Sequence, residues 1–294
     1  MSLFDQVKNL FGGNKAQKMD VTARFQIEKQ AVSGTMSKFQ VAREIQTGRI
    51  LGLKILDTEK TAHFNSRFKG LKKPPEGEIA LKINHKYVVN TIEHGMTTKN
   101  EYYVLMEYID GPGLDLLVQN ENAKLIENRL KFIRQMGHAL QAVHEAGFIH
   151  RDVCPRNFIC DKTINNLKLI DFGLTVPDEP PYRLPGNRTG TPQYMAPEIV
   201  RRRPTDLRVD VFAYGVTMYR MLTFEHPWGS TDPTGIGALA HDSRLPDDIL
   251  KHRPDLNSDL ASAIHRCLEA DPNKRPKSVK HFLGLIKNVK TESA

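Results

Sequence analysis

Cysteine is scarce: only Cys154, Cys160 and Cys267 occur in 294 residues, at unrelated spacings and without a C-x-x-C pair. That leaves no even disulfide framework, points away from structural zinc and fits a reducing compartment. Long apolar runs are missing as well. None approaches the roughly 18 residues of a membrane span, and Asp5 and Lys8 interrupt the first apolar stretch. A cytoplasmic location with no transmembrane segment is the expectation. No internal repeat or low-complexity tract is present. Aromatic residues do not interleave with the basic ones: the net charge is +8, yet the densest cluster, Arg201 to Arg203, has none. The sequence therefore predicts no nucleic-acid partner and a solvated basic face that favours acidic ones.

What is present suffices for a core, with 39% hydrophobic residues in a chain long enough for one large domain or two lobes. Residues 1–20 read as an appendage. Leu3, Phe4, Val7, Leu10 and Phe11 fall at helical spacing before Gly12-Gly13 breaks the pattern, so residues 3–11 are a candidate for weak membrane or partner contact, or for packing on their own domain. Strand patterning follows at Phe25 and Ile27, at Phe39 and Val41, and over 50–56 after a turn at Thr47-Gly48. Beyond residue 125 helices dominate. Ile126, Leu130, Ile133, Met136, Leu140 and Val143 share a helical face that Gly147 can close. Residues 210–222 are apolar nearly all round and predict a buried helix, whereas Ile264, Cys267 and Leu268, then Val279, Phe282, Leu283 and Ile286, mark one-sided helices.

After the long helix comes His150-Arg151-Asp152-Val153-Cys154-Pro155-Arg156-Asn157, and Asp171-Phe172-Gly173 begins nineteen residues after Asp152. Gly190-Thr191-Pro192-Gln193-Tyr194-Met195-Ala196-Pro197-Glu198, then Asp210, Asp271-Pro272 and Arg275, continue the series. Together these resemble the ordered motifs of the eukaryotic-type protein kinases, from about residue 25 to about 287. The resemblance implies an α+β bilobal fold: an N-lobe over 21–106 with a small antiparallel sheet and one helix, a hinge over 107–113, and a mainly helical C-lobe over 114–290. It also implies transfer of the ATP γ-phosphoryl group to Ser/Thr hydroxyls of protein substrates. A pseudokinase scaffold and a small-molecule phosphotransferase of related fold are the competing classes, and oligomeric state is not legible.

By the same resemblance Asp171 and Asn157 hold Mg²⁺ or Mn²⁺, and oxygen ligands suit such hard cations. Asp152 takes or orients the hydroxyl proton, and Thr191 belongs to the substrate platform. Lys54 grips the α/β-phosphates, and strand alternation puts Gly52 on its face of the sheet. Its carboxylate partner is Glu76 or Glu78, about 200° apart on a helix. Glu76 shares its face with Ile79, Ala80 and Ile83 and is the expected one.

The glycine-rich loop departs from the family pattern, because its three positions read Val32, Gly34 and Ser37 and only the middle glycine remains. On the adenine side Gly52 and Phe39 suggest an exchange of volume between roof positions. By the same resemblance Met106 is expected behind the pocket, the Glu107, Tyr108 and Ile109 backbone along its edge, and Ile159 at its floor. The usual acceptor position in the activation segment is Asn187, leaving Thr189 and Tyr182 as candidates. Cys154 stands where a Ser/Thr kinase carries a lysine, and Arg156 is expected to supply the missing positive charge.

Overall fold

A computed structural model describes residues 18–293 except 34–36, 69, 187 and 230–236, and for residues 30–33 it describes the backbone only. The amphipathic residues 3–11, Gly34 and Asn187 lie outside the described residues. The chain divides into two compact units, one formed by the described residues up to His63 with Thr91–Tyr108, the other by Phe64–Asn90 and the chain from Ile109 onward.

The first unit is an antiparallel sheet of β1 (Phe25–Ser33), β2 (Ser37–Glu44), β3 (Ile50–Leu56), β4 (Thr91–Met96) and β5 (Tyr102–Glu107), in the order β1-β2-β3-β5-β4. The turn expected between β2 and β3 is made by Gly48 at φ +70°, where a Cβ is disfavoured, and the Gly48 N–H donates to Glu44 O at 2.8 Å. Alternation sorts the side chains. One face carries the core of Met19, Phe25, Ala42, Leu51, Leu53, Tyr103 and Leu105. The pairings Phe39 with Lys54, Val41 with Gly52, Gly52 with Met106 and Lys54 with Val104 put these six residues on the opposite face.

In the second unit Pro75 precedes α1 (Glu76–Leu81), an arrangement in which proline's fixed φ suits a helix start. Glu76, Ile79, Ala80 and Ile83 are buried, while Glu78 pairs outside with Lys82 at 2.9 Å. Residues 64–90 are tied here by the Val88–Leu169 bridge and by Phe68, whose ring centroid lies 5.8 Å from that of Tyr182. Next come α2 (Leu114–Gln119) and α3 (Ala123–Glu145), the latter capped by Asn122 Oδ1 accepting from the N–H groups of Lys124 and Leu125. The face expected of α3 is displaced at its start. Ile126 is exposed and Leu130 half-buried, whereas Leu125, Arg129, Phe132, Ile133, Met136, Leu140 and Val143 are buried. Gly147, at φ +84°, ends the helix as expected.

Two short ribbons follow, β6 (Phe148–Ile149) with β9 (Val176–Pro177), and β7 (Phe158–Cys160) with β8 (Leu167–Leu169). Helix α4 (Arg208–Thr223) is buried almost throughout, as its sequence predicts, and α5 (Ser258–Cys267) and α6 (Val279–Leu285) pack one face each. Among the described residues no helix is long and apolar enough to cross a membrane.

Candidate active site

The segment between β6 and β7 is fixed from below by one buried carboxylate. Asp210, fully buried in α4, accepts the backbone N–H groups of His150 and Arg151 on separate oxygens, each at 2.8 Å, and His144 Nε2–H at 2.8 Å. Burial alone raises its pKa, but the His144 hydrogen bond and charge, with His150 and the Arg151 N–H, outweigh it and hold the carboxyl below its usual 3.8. The backbone turns sharply here, with Arg151 at φ +69°. Its guanidinium is buried, and burial, opposed by Asp210, lowers its pKa to about 10. His150 packs edge-on to Phe172 at 5.7 Å and accepts the Asp152 N–H on Nδ1 at 3.3 Å, so it acts within the packing of the loop.

Asp152 is held on both oxygens. Oδ1 accepts from Thr191 N at 2.8 Å and from Thr191 Oγ1 at 2.7 Å, while Oδ2 accepts from Asn157 Nδ2 at 3.0 Å. Asn157 Nδ2 also donates to Asp152 O at 2.7 Å, and the loop closes on β8 through Ile170 N–H to Asn157 O at 3.0 Å. Thr191 reaches this position because Gly190, at φ +127°, passes so close that an added Cβ would sit 2.8 Å from Arg151 O. Arg156 donates from Nη2 to Thr191 Oγ1 at 2.7 Å and lies 3.6 Å from Asp152 Oδ2. Cys154 is buried with Sγ 3.7 Å from Thr191 Oγ1, and burial followed by the Asp152 charge pushes its thiol up to about 12. A neutral thiol and a cation thus flank one threonine hydroxyl.

Asp171 Oδ1 accepts the Gly173 N–H at 2.8 Å. A methyl added to Gly173 would lie 3.2 Å from that oxygen and 3.5 Å from Glu76 Oε2, so Glu76 borders this turn. Among the described residues no group of three or more His, Cys, Asp or Glu could hold a metal ion. A cation here would draw on Asp171 and on Asn157 Oδ1, the oxygen of an amide whose nitrogen is committed to Asp152. That donor set fits Mg²⁺ or Mn²⁺, which take few protein oxygens and complete their shell with phosphate and water. Farther down the unit, Arg275 grips Glu198 through Nη1 and Nη2 at 2.7 and 2.9 Å, a buried ion pair.

In the first unit the Phe39 ring covers Gly52. A Cβ on Gly52 would lie 2.8 Å from Phe39 Cε2 and 3.1 Å from Met106 Cγ, so the glycine makes room for the aromatic ring. Lys54, beside them on the same face, is buried at 7% exposure. The Val32 backbone belongs to β1 and Ser37 opens β2. Glu107 and Tyr108 end this unit, whereas Ile109 begins the continuation of the second, where Ile159 lies half-buried in β7 and bridges Gly113. Sequence reasoning missed His144, whose role needs its contact with Asp210, and the Arg156–Thr191 bond, which joins residues 35 positions apart.

A match to the protein kinase domain family covers residues 25–284, and the chain belongs to that family. Relatives include a hormonally up-regulated neu tumor-associated kinase homolog of Xenopus laevis, 31% identical over 85% of this chain and 36% of its own length. The serine/threonine-protein kinase pkn3 of Myxococcus xanthus is 28% identical over 92% of this chain and 51% of its own. A probable serine/threonine-protein kinase of Clostridium acetobutylicum is 29% identical over 91% of this chain and 40% of its own. The chain thus spans about a third to a half of the length of these relatives.

Proposed function

We propose that this chain is an ATP-dependent protein kinase that phosphorylates Ser/Thr hydroxyls of protein substrates. The observation that carries the reading is Asp152, whose two oxygens are pinned by Thr191 and Asn157 in a loop anchored on Asp210. Phosphoryl transfer needs positioning and charge neutralisation more than covalent help, and a fixed carboxylate provides the first. Asp152 orients the substrate hydroxyl and receives its proton. Asp171 and Asn157 hold Mg²⁺ or Mn²⁺, which when bound neutralises phosphate charge. Lys54 grips the phosphates, and the other nucleotide residues expected from the sequence belong to this reading. Thr191 keeps Asp152 in place and contributes to the peptide platform. Arg156 supplies positive charge beside Asp152 that Cys154, a neutral thiol, cannot. The names of the bacterial relatives support Ser/Thr acceptors.

The test is transfer from labelled ATP to a basic protein with Mg²⁺ or Mn²⁺, followed by phosphoamino-acid analysis. Phosphoserine and phosphothreonine are expected. Asp152→Asn should bind nucleotide normally and transfer at least ~10²-fold more slowly, the scale of general-base loss. Nucleotide binding without transfer by the wild-type chain would overturn the reading, and dominant phosphotyrosine would reverse the acceptor class.

A further inference from the structure

Phe68 meets the segment after Asp171-Phe172-Gly173 through an aromatic contact. Phe64 and Phe68 are each 4% exposed, with ring centroids 5.4 Å apart in an edge-on pair. Phe68 in turn touches Tyr182, 6% exposed, at 5.8 Å. On the other side Lys73 Nζ lies 5.5 Å from the Phe64 ring centroid, and Pro74-Pro75 lead directly into Glu76. Two consecutive prolines fix two φ angles and stiffen the chain between Lys73, which lies beside the Phe64 ring, and α1. Glu76, the first residue of α1, borders Gly173.

The segment bearing Tyr182 is anchored on both sides. Before it, Asp178 donates its N–H to Gly147 O at 2.8 Å and accepts from Arg183 Nε at 2.9 Å, while Val176–Pro177 pair with Phe148–Ile149, next to His150. After it, Thr205 N–H donates to Arg183 O at 2.8 Å. Seated Tyr182 coexists with the fully bonded Asp152–Thr191–Asn157 arrangement. Aromatic burial of this kind holds a segment without any phosphate, whereas an ion-pair clamp of an activation segment requires a modified residue.

We propose that Tyr182 seated on Phe68 and Phe64 is a latch that positions both the activation segment and the Glu76 end of α1, making the assembled site independent of activation-segment phosphorylation. Tyr182, Phe68 and Phe64 are positioning residues. They touch neither substrate nor reacting atoms, and they act through Glu76 and through the strand leading to the catalytic loop. The proposal rests on the kinase reading only for its activity readout.

The experiment is a double-mutant cycle on phosphatase-treated protein with Tyr182→Ala, Phe68→Ala, the double variant, and Tyr182→Phe, reading kcat, KM for ATP and proteolytic cleavage within 178–190. Each alanine variant should lose about tenfold in kcat while KM for ATP stays within about twofold, because one contact of roughly this size is removed. The double variant should be no worse than either single one, and Tyr182→Phe should match the wild type. Tyr182→Leu, which keeps apolar bulk, replaces the alanine variant if that fails to fold. Additive losses, unchanged turnover in the alanine variants, or a Tyr182→Phe defect as large as Tyr182→Ala would overturn the latch, the last by showing that the hydroxyl matters. If the wild-type chain transfers phosphate before phosphatase treatment but not after it, the independence from phosphorylation is overturned; if it transfers none in either state, the kinase reading fails separately and cleavage decides the latch. Faster cleavage of each single variant with no further gain in the double supports it, and additive or unchanged cleavage overturns it.

Discussion

The sheet face of the first unit and the His150–Asn157 loop of the second are organised by different forces. On the sheet, the side chains at Phe39, Gly52 and Met106 fit by volume: the ring occupies the space an ordinary side chain at 52 would need. In the loop, charge and hydrogen bonds fix everything, from buried Asp210 through the His150 and Arg151 N–H groups to Asp152, Thr191 and Asn157. A volume fit can be restored by a compensating change of volume. A polar network has no such substitute, because each member satisfies particular donors and acceptors of the others.

Breaking the anchor gives the largest expected effect. Asp210→Ala leaves two N–H groups and His144 without their acceptor in the interior, so stability should fall by about 3–5 kcal/mol, the scale for removing one member of a buried pair. Turnover should fall at least ~10²-fold in protein that remains folded. Chemical denaturation alongside kinetics checks both, and a loss under 1 kcal/mol would show that the loop is held by other contacts. The pH dependence has a definite sign. Folded Asp210 keeps its carboxyl below the usual 3.8, so its contribution is present in full above that pH and is lost as pH falls through the folded value. The Asp210→Ala variant should lack this acid-side loss.

The charge at the top of the loop comes next in size. Removing Arg156 takes away the cation 3.6 Å from Asp152 Oδ2, and Arg156→Ala should reduce kcat by about 10²-fold with little change in ATP affinity. Cys154→Lys on that background should recover much of the loss, because position 154 adjoins the same Thr191 hydroxyl. Near-normal turnover of Arg156→Ala would assign the charge to another group. On the sheet side Gly52→Val should raise the KM for ATP about tenfold by displacing the Phe39 ring, and Phe39→Val should restore it. Failure of that rescue would mean the glycine matters for something other than space.

What the sequence reveals follows the same division. Period-two alternation made β1 to β3 legible, and the helical spacing of Ile79, Ala80 and Ile83 was enough to turn Glu76 inward and Glu78 outward. The start of α3 was misread because its buried face includes residues that look like surface. Arg129 is buried yet donates to Leu222 O at 2.8 Å and Glu292 Oε1 at 2.7 Å, and Gln135 accepts the Leu167 N–H at 2.9 Å. With these polar residues inside, the apolar stripe at Ile126 and Leu130 points too far outward. Pairings across many residues, such as Thr191 with Asp152 or Phe68 with Tyr182, leave no periodic trace. The Phe64 and Phe68 spacing was the one available hint of an aromatic cluster.

The smallest effect concerns Lys73, which lies between the aromatic pair and Glu76 and combines both kinds of force. Burial lowers its ammonium pKa to about 8, with the Glu76 charge opposing the shift. A lysine whose folded pKa lies below its ordinary 10.5 loses its proton more easily in the native state, so it is largely neutral and nucleophilic above about pH 8. Brief labelling of native protein with an amine-reactive reagent, read by peptide mass spectrometry, should therefore show modification of Lys73 rising with a midpoint near pH 8. Glu76→Gln removes the opposing charge and should move the Lys73 midpoint lower still. A midpoint that stays fixed in this variant would show that Lys73 does not feel Glu76, and that the aromatic cluster and the start of α1 are electrostatically separate.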